Sequence, residues 1–477
     1  MSRETEDLAR ASERPARPGI EEDLEDQALG DDYALNPEFV SEVVDALDGG
    51  DTERLRDLLS ALHPADVADL MGFISAEARE ELVPHLDPET LAEILSELDT
   101  EIREDVLEHV PSATLAKAIS EMESDDAADV VDDLEADKRA QVLAAMPDIE
   151  RAAIETSLSY EDETAGRLMQ REVVAAPQFW TVGQAIDHFR RDADDLPELF
   201  FDVYVVDPTF KPVGAVSVSH LLRAGRQTAL AEIMEPVTEI PVSMDQEEVA
   251  YIFDKYHLIS APVVEPGGRL VGQITVDDIV GVIQEEGEED ILALASVSDA
   301  GRDAGVWDIV RSRLPWLVLN LATGAVAVQA ISAYQHEIAK MVTLAILMPI
   351  VASVGGTAGT QALAVAVRAL AARELNASNA LRTIWREMVV GLMNGAVVGA
   401  VMAISTYLLF HDLRLGITIG LALVVNLFIA AAAGILVPLT LERLGRDPAV
   451  SSSVFVTFVT DLMGFLSFLG LASLILL

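Results

Sequence analysis

The last third of the chain is a series of long apolar stretches separated by short polar connections. Each stretch is near or above the ~20 residues that a helix needs to cross the hydrocarbon layer of a bilayer. The stretches cover residues 314–334, 341–367, 388–410, 415–441 and 452–476. The pattern therefore predicts a five-helix transmembrane domain over residues 314–477, in contact with membrane lipid.

Basic residues predict the orientation of these segments. Eight arginines stand within three residues before the first segment or in the even-numbered connections, whereas the other connections hold Lys340 and Arg414. Cytoplasmic connections carry an excess of Lys and Arg. We therefore expect a multi-pass protein of the plasma membrane, with its N-terminal region in the cytoplasm and its C-terminus outside.

The first part of the chain has a shorter period. The phrases HPADVADLM from His63, DPETLAEIL from Asp87 and PSATLAKAI from Pro111 recur about every 24 residues. Each has a turn proline, a polar first turn and then apolar residues at helical spacing, which predicts stacked helix pairs over residues 35–160. Residues 1–34 contain no apolar core segment and predict a disordered acidic tail rather than a signal peptide.

A second repeat occupies residues 161–284. YVVDPTFKPVGAVSVSHLL from Tyr204 aligns with PVVEPGGRLVGQITVDDIV from Pro262, and each copy predicts strand, turn, strand and helix. The pair resembles tandem CBS domains, a compact α/β sensory module. Such domains often end a nucleotide site with a hydroxyl residue followed three positions later by aspartate. The second copy has this ending as Thr275 and Asp278 and the first does not, so the resemblance implies at most a weak site, for which ATP is one candidate ligand.

The composition divides the chain into a very acidic front part and an apolar, nearly neutral back part. The net charge is −48, yet from Leu314 onward seven acidic residues stand against eight basic ones. An acidic surface repels nucleic acid, which needs cations against its phosphates. It attracts cations, or keeps a protein soluble in a salty cytoplasm. Cysteine is absent, and no nucleophile motif or phosphate-cradling loop indicates an enzyme.

A lone carboxylate, Asp461, interrupts the last apolar segment. A carboxylate near mid-membrane costs about 3 kcal/mol and is normally tolerated only toward a cavity or a partner. Small and polar residues share its helical face: Ser453, Thr457, Thr460 and Gly464. Two interpretations remain open: a cation site in a conduction path, or a protonated aspartate that hydrogen-bonds a neighbouring helix.

The second segment contains MPIVASVGGTAGTQ, which starts at Met348. Its Pro349 and glycines predict either a broken helix whose freed carbonyls face an ion or close helix packing through small residues. Between the α/β repeat and the first segment, residues 285–313 begin with EEGEED and predict an acidic connecting helix. Like charges at this density repel unless cations screen them.

The order of these modules resembles the MgtE family of magnesium channels and transporters. The agreement lies in several motifs: YEDETAGRLM at 160–169, DQEEVA at 245–250, GRLVGQITVDD at 268–278, EEDI at 288–291, the glycine-rich part of the second segment, and DPAV and TDLMGF between 447 and 465. The resemblance implies a homodimer in which Asp461 lines a pore for Mg²⁺ between two subunits. Around it, the resemblance implies pore positions at Gly356, Thr357, Gly359 and Thr457, with backbone carbonyls that hold a hydrated ion.

The same resemblance implies cytosolic magnesium sensing that closes the pore. The matching carboxylates lie on three modules: Asp125, Asp126 and Asp129 on the helical repeat, Asp245 and Asp278 on the CBS pair, and Glu286, Glu289 and Asp290 on the connecting helix. Each could instead belong to a solvated helix face. Bound ions would neutralise facing surfaces and draw the modules together.

Two departures from the family pattern bear on this expectation. Thr357 stands where asparagine usually follows the paired glycines, and Gly281 stands where some relatives have a sensing aspartate. The first keeps a divalent transporter for Co²⁺ or Mn²⁺ open as an alternative. A membrane receptor whose CBS pair senses a nucleotide is the alternative from another class.

Overall fold

The computed structural model describes residues 28–476 apart from 31–32, 194–195, 198, 296, 298–305, 376–378 and 449–451. The chain divides into two compact units, Met1–Val282 and Ile283–Leu477. The first contains an all-α superhelix and two α/β repeats, and the second contains the transmembrane helices. The fold is therefore multidomain, as the sequence predicts.

Short helices in pairs build the N-terminal module. Within the described residues they are α1 (Pro37–Asp48), α2 (Thr52–Ser60), α3 (Pro64–Phe73), α4 (Ala76–Leu82), α5 (Pro88–Glu97), α6 (Thr100–His109), α7 (Ser112–Ser120), α8 (Ser124–Asp132), α9 (Ala136–Ala145) and α10 (Asp148–Ser157). Asp87 caps α5 through the Thr90 amide at 3.0 Å, and Pro88 occupies the first helical position. Buried leucines from successive helices form one continuous core, which is how a solenoid stabilises units that could not fold singly.

The acidic tail predicted over residues 1–34 mostly lies outside the described residues. Its end is ordered, however: Ala28 is buried in the core of the helical module, and Leu29 pairs with Leu35. The boundary at residue 34 is therefore wrong by several residues, because apolar side chains at 28 and 29 find a core to enter.

Two copies of one α/β repeat follow α11 (Ala165–Leu168). Their elements are β1 (Ala175–Pro177), α12 (Val182–Arg191), β2 (Asp202–Val206), β3 (Pro212–Ser217), α13 (Val218–Arg223), α14 (Leu230–Ile233), β4 (Ile240–Pro241), α15 (Gln246–Tyr256), β5 (Ser260–Val264) and β6 (Leu270–Thr275). Each three-stranded sheet has one parallel and one antiparallel pair, in the orders β1-β2-β3 and β4-β5-β6. The matched registers, Val203 opposite Val216 and Ala261 opposite Ile274, confirm the internal repeat.

The connecting helix begins earlier than predicted. It is α16 (Val276–Leu294), which starts directly after β6 and contains the final helix of the second copy as well as the acidic stretch. No proline separates Asp277 from Leu294, so the backbone has no reason to break near residue 285. The helix is therefore continuous across the boundary predicted at 285 and contributes to both modules.

Five helices of the second unit are long and apolar enough to cross a membrane. They are α17 (Val306–Ser332), α19 (Thr343–Ala371), α20 (Ala380–Phe410), α21 (Leu413–Arg443) and α22 (Ser452–Ile475), with the short α18 (Gln335–Lys340) between the first two. The five predicted segments are confirmed. The first helix begins before residue 314, since its apolar side chains start at Val306.

The second membrane helix is not broken. Helix α19 runs without interruption through Pro349 and the glycines. The expectation of freed carbonyls is wrong, and the alternative, close packing through small residues, is what the structure shows. A Cβ on Gly359 would lie 2.7 Å from Val456 Cγ1, so α19 and α22 approach more closely than a larger residue would allow.

Candidate functional site

Asp461 lies half-buried on α22, between two close contacts with its neighbours. Directly before it in the chain, Thr460 meets Gly359 of α19, where a Cβ would lie 3.0 Å from the threonine Cγ2. One turn after it, Gly464 meets Asn426 of α21, where a Cβ would lie 2.8 Å from Nδ2. The helices around the carboxylate are therefore held at close spacing on both sides.

Helix α19 carries an exposed polar face at the same depth. Ser353, Thr357 and Thr360 are exposed, and each threonine hydroxyl donates to a backbone carbonyl one turn earlier at 3.0 Å, that of Ser353 for Thr357 and that of Thr357 for Thr360. No described atom lies within 4 Å of a Cβ placed on Gly356. Polar groups inside a membrane normally face protein or a water-filled cavity, so this face is a candidate lining for an ion path.

The predicted pore residues differ in what they offer an ion. The Gly356 carbonyl accepts a 3.2 Å hydrogen bond from Thr360, and the Thr457 carbonyl accepts one of 2.9 Å from Thr460. Gly359 is buried against α22. In this continuous helix, Gly356 and Thr357 lie on the open side, whereas Gly359 serves packing.

A dense group of carboxylates lies where α8 meets the α/β repeats. Ser124 Oγ donates to Glu172 Oε2 at 2.8 Å, and Gln170 Nε2 donates to Glu123 Oε2 at 2.9 Å. Behind them, Gln273 Nε2 donates to Gln170 Oε1 at 2.9 Å. We call this contact between α8 and the CBS pair the acidic joint. It brings together four of the predicted residues: Asp125, Asp126, Asp129 and Asp278.

Burial and mutual repulsion make this joint unusual electrostatically. Burial, followed by the facing charge of Asp278, raises the pKa of Glu123 and of Asp126 to about 7. Burial likewise raises the pKa of Asp278 to about 6 and that of Asp125 well above its ordinary range. Near neutral pH the joint is stabilised by anything that supplies positive charge, whether a proton or a cation.

The guanidinium of Arg167 neutralises part of the negative charge of the acidic joint. Arg167 Nη2 lies 3.0 Å from Asp132 Oδ2 and 3.3 Å from Asp129 Oδ1, and its side chain is only 11 % exposed. Burial raises the pKa of Asp129, and Arg167 and Arg103 oppose that rise. Asp129 is therefore partly neutralised by the protein itself.

Asp245 has a local structural partner. It caps α15, accepting from the Glu247 amide at 3.0 Å, and its backbone pairs with Thr164. Its carboxylate is not among the charges that shift the pKa values of the acidic joint. The sequence alone could not separate this capping position from a sensing one.

The second acidic surface involves the end of the connecting helix. Asp290 and Glu286 are half-buried on α16, with Glu289 exposed between them. Burial, then the charges of Asp447 and Glu286, raises the pKa of Asp290. Next to this surface, Ala293 and Leu294 of α16 pack with Leu363, Val367 and Val456 of the membrane helices.

Several residues at these surfaces were not predicted as site residues. They are Glu123, Glu172 and Asp277 at the acidic joint, Asp447 beside Asp290, and Asn426 beside Gly464. Glu123 begins the acidic phrase of α8, and Asn426 is a polar residue inside a very apolar helix. The positions of Glu123 and Asn426 could therefore have been noticed in the sequence. The proximity of Asp447 to Asp290 could not, because it depends on the tertiary structure.

The two CBS copies differ at the position of the nucleotide motif. In the second copy, Asp278 Oδ2 accepts from Thr275 Oγ1 at 2.9 Å, and Thr275 is 7 % exposed. The carboxylates of the acidic joint surround this pair, which disfavours a phosphate there. In the first copy, Ser217, His220, Arg223 and Glu235 line an open cavity of about 550 Å³.

No three His, Asp or Glu side chains within the described residues converge closely enough to hold a bare metal ion. The carboxylates face one another at longer range. That arrangement suits Mg²⁺ that keeps several of its waters, because magnesium dehydrates reluctantly and binds through few carboxylates.

Three family models match the chain. The model described as "Divalent cation transporter" (MgtE) matches residues 348–471, and that of the MgtE intracellular N domain matches 62–163. The CBS domain model matches twice, at 165–226 and 230–285. The matches follow the same order as the modules of the structure.

Curated relatives match over most of their length. The magnesium transporter MgtE of Enterococcus faecalis is 36% identical over 326 residues, which are 68% of this chain and 72% of the relative. The MgtE of Thermus thermophilus is 35% identical over 330 residues, 68% of this chain and 73% of the relative. The MgtE of Bacillus subtilis is 32% identical over 331 residues, which are 69% of this chain and 73% of the relative.

Two solved structures match the cytosolic part. One is described as the soluble part of a magnesium transporter, with 30% identity, 52% of this chain and 98% of that chain covered, and a TM-score of 0.47. The other is described as the cytosolic domain of the Mg²⁺ channel MgtE in complex with ATP, with 34% identity, 51% and 99% covered, and a TM-score of 0.48.

Proposed function

Because this chain belongs to the MgtE family, we propose that it carries Mg²⁺ across the plasma membrane as a homodimer gated by cytosolic magnesium. The observation that carries the proposal is the half-buried Asp461 at the depth of the exposed hydroxyl face of α19. A carboxylate and a row of hydroxyls inside a membrane have physical reason to be there if hydrated cations pass.

A second copy of the chain completes the path. Thr357 and Thr360 are exposed on a membrane helix, and their hydroxyls donate within that helix. Lipid offers no partner, however, to the carboxylate of Asp461 at this depth. A two-fold axis beside α19 and α22 would place two Asp461 side chains across one path. The hydrated ion is then held through its waters by the two carboxylates and by the hydroxyl oxygen of Thr357. Binding through several weak contacts also lets the ion leave.

The two acidic surfaces supply the gate. At the acidic joint, Asp125, Asp126 and Asp278 repel one another unless cations neutralise them. At the end of α16, Glu286, Asp290 and Asp447 form the second surface, and Glu289 lies beside it. When cytosolic magnesium is high, ions bind both surfaces and hold α16 against α19 and α22, which closes the path. When magnesium is scarce, repulsion frees α16.

Nucleotide binding at the CBS pair is a finer part of the proposal. The cavity beside Ser217 is lined by His220 and Arg223, and the guanidinium of Arg223 suits the phosphates of ATP. The Thr275 and Asp278 pair is a weaker candidate, because the acidic joint surrounds it. Titration of the purified chain with ATP, compared with its Arg223→Gln variant, tests this part: equal affinities would remove the cavity from the proposal.

Rescue of a magnesium-uptake-deficient bacterium tests the proposed function. The native chain should restore growth on low-magnesium medium, at a salt concentration that suits an acidic protein, and an empty vector should not. Uptake of Co²⁺ or Mn²⁺ with no rescue by magnesium would support a transporter of other preference. Well-folded protein that moves none of these ions would support the nucleotide-sensing receptor.

A further inference from the structure

Asn426 is a fully buried amide in the middle of a membrane helix. It lies on α21, is 0 % exposed, and stands between the glycines of two other helices. A Cβ on Gly355 of α19 would clash with its Nδ2, and a Cβ on Gly464 of α22 would lie 2.8 Å from the same atom. Both glycines are therefore needed to make room for this side chain.

Only one half of the Asn426 amide has a protein partner among the described residues. Nδ2 donates a 2.9 Å hydrogen bond to the carbonyl oxygen of Val351, one turn before Gly355. Oδ1 is buried and accepts no hydrogen bond from the described part of the chain. Since the Nδ2 bond fixes the orientation of the amide, Oδ1 is held as an acceptor toward the Gly355 and Gly464 crossing.

An unused buried acceptor is unfavourable, and buried polar groups in proteins are nearly always paired with protein or with ordered water. A leucine at this position would bury the same kind of branched side chain without that penalty. Oδ1 lies 3.3 Å from where a Cβ on Gly355 or on Gly464 would stand, so a larger residue at either glycine would crowd this oxygen. These three observations point to a small hydrogen-bond donor as the missing partner.

We infer that Asn426 is a positioning residue of the ion path, whose Oδ1 accepts a hydrogen bond from a water molecule beside Asp461. The inference rests on the proposed function, because it assigns this water to magnesium transport. Asn426 lies at nearly the same membrane depth as Asp461. Its neighbour Gly464 is one helical turn after Asp461, and Gly359, one turn after its other neighbour Gly355, meets Thr460 directly before Asp461.

The water can come from two sources with the same chemistry. It is either a resident water of the helix crossing or one of the waters that a hydrated cation carries. In both cases the donor is a water O–H group and the acceptor is Oδ1. Hexaamminecobalt(III) separates the two, because it has the size and charge pattern of a hydrated ion, its N–H groups donate as water does, and its ligands do not exchange.

The test compares three variants of the full-length chain in proteoliposomes at equal amounts of folded protein. Asn426→Leu keeps a branched side chain without a donor or an acceptor. Asn426→Asp, as the neutral acid, keeps an O–H donor for the Val351 carbonyl and an oxygen acceptor in nearly the same shape. Thr418→Val is the control, since it removes another buried hydrogen-bonding side chain of α21, whose hydroxyl donates to the Arg414 carbonyl at 2.8 Å. Magnesium uptake and hexaamminecobalt(III) affinity are measured for each.

Asn426→Leu should lose at least about tenfold in uptake, while Asn426→Asp stays within about threefold of native and Thr418→Val within about twofold. If the cation carries the water, Asn426→Leu also weakens hexaamminecobalt(III) binding about fivefold or more and Asn426→Asp restores it. A resident water leaves that affinity unchanged.

Three outcomes would overturn the inference: native uptake and affinity in Asn426→Leu, equal losses in the leucine and aspartate variants, or an equal loss in Thr418→Val. Absence of magnesium uptake by the native chain would instead contradict the proposed function. The cobalt complex would still report on Asn426 in that case, because its binding does not require transport.

Discussion

Arg167 Nη2 lies 3.0 Å from Asp132 Oδ2, so the acidic joint contains a cation of its own. Asp129 shares this cation at 3.3 Å. Two sources of positive charge therefore neutralise the carboxylates of the joint. Arg167 is a fixed source, whereas Asp125, Asp126 and Asp278 require cations or protons from solution. This division explains how the two modules can meet before ions bind and still respond to them.

Replacement of Arg167 by glutamine should weaken the joint. Asp129 and Asp132 would lose the cation that they share, although Arg139 still lies 3.0 Å from Asp132, at a cost of about 1 kcal/mol for a partly exposed ion-pair network. Limited proteolysis of the full chain without magnesium should cut faster between α10 and α11, and added magnesium should restore protection. Arg151→Gln is the control, because Arg151 pairs with Asp148 within one helix. Equal protection of the native chain and Arg167→Gln would contradict this prediction.

The joint should also respond to pH. In the docked joint the pKa is about 7 for Glu123 and Asp126 and about 6 for Asp278. The ordinary pKa of a carboxyl group is near 4. Between pH 4 and these raised values, the docked state therefore binds more protons than the undocked state. Docking is therefore fully favoured at low pH and is lost as the pH rises through 6 and 7. Without magnesium, protection from proteolysis should increase from about pH 8 to about pH 6. Asp126→Asn should flatten that dependence, and stronger protection at the higher pH would reverse the sign we assign.

Two neighbouring glycines of α19 should behave differently. Alanine at Gly359 would place its Cβ 2.7 Å from Val456 Cγ1, whereas no described atom lies within 4 Å of a Cβ at Gly356. Gly359→Ala should destabilise the membrane domain by about 1–3 kcal/mol. Gly356→Ala should stay within about 0.5 kcal/mol and lower the uptake rate, since it narrows the open side. Thermal unfolding in detergent, measured beside uptake, separates the two effects. Equal stability losses would contradict the packing assignment.

Asp447 should contribute to closure by magnesium. It is one of the charges that raise the pKa of Asp290, and an ion between them would hold α16 on the membrane helices. Asp447→Asn should raise the magnesium concentration needed for half-inhibition of uptake by about threefold or more, because one ligand is lost. Glu442→Gln is the control, since Glu442 is exposed at the end of the same helix that precedes Asp447. An unchanged midpoint in Asp447→Asn would place the second surface elsewhere.

The sequence predicted the helices and strands that a local pattern of residues determines. It failed where the structure depends on contacts with residues distant in the chain. Five apolar segments and the repeated strand–turn–strand phrase were sufficient for the membrane helices and the α/β repeats. The α19 glycines permitted a broken or a continuous helix, and tight contacts with Val456 and Asn426 decide for the continuous one. In the same way, Asp245 and Asp278 look alike in the sequence, but the fold makes one a helix cap and places the other in the acidic joint.

The central claim is that magnesium passes Asp461, and uptake into proteoliposomes with an internal magnesium dye tests it most directly. The native chain and Asp461→Asn are compared at equal amounts of folded protein and at low internal magnesium. Asparagine keeps the shape of the side chain and one oxygen acceptor but removes the charge that holds the hydrated ion. The account predicts a loss of at least about tenfold in initial rate for Asp461→Asn. Native rates in this variant would show that the carboxylate is structural and that magnesium takes another route.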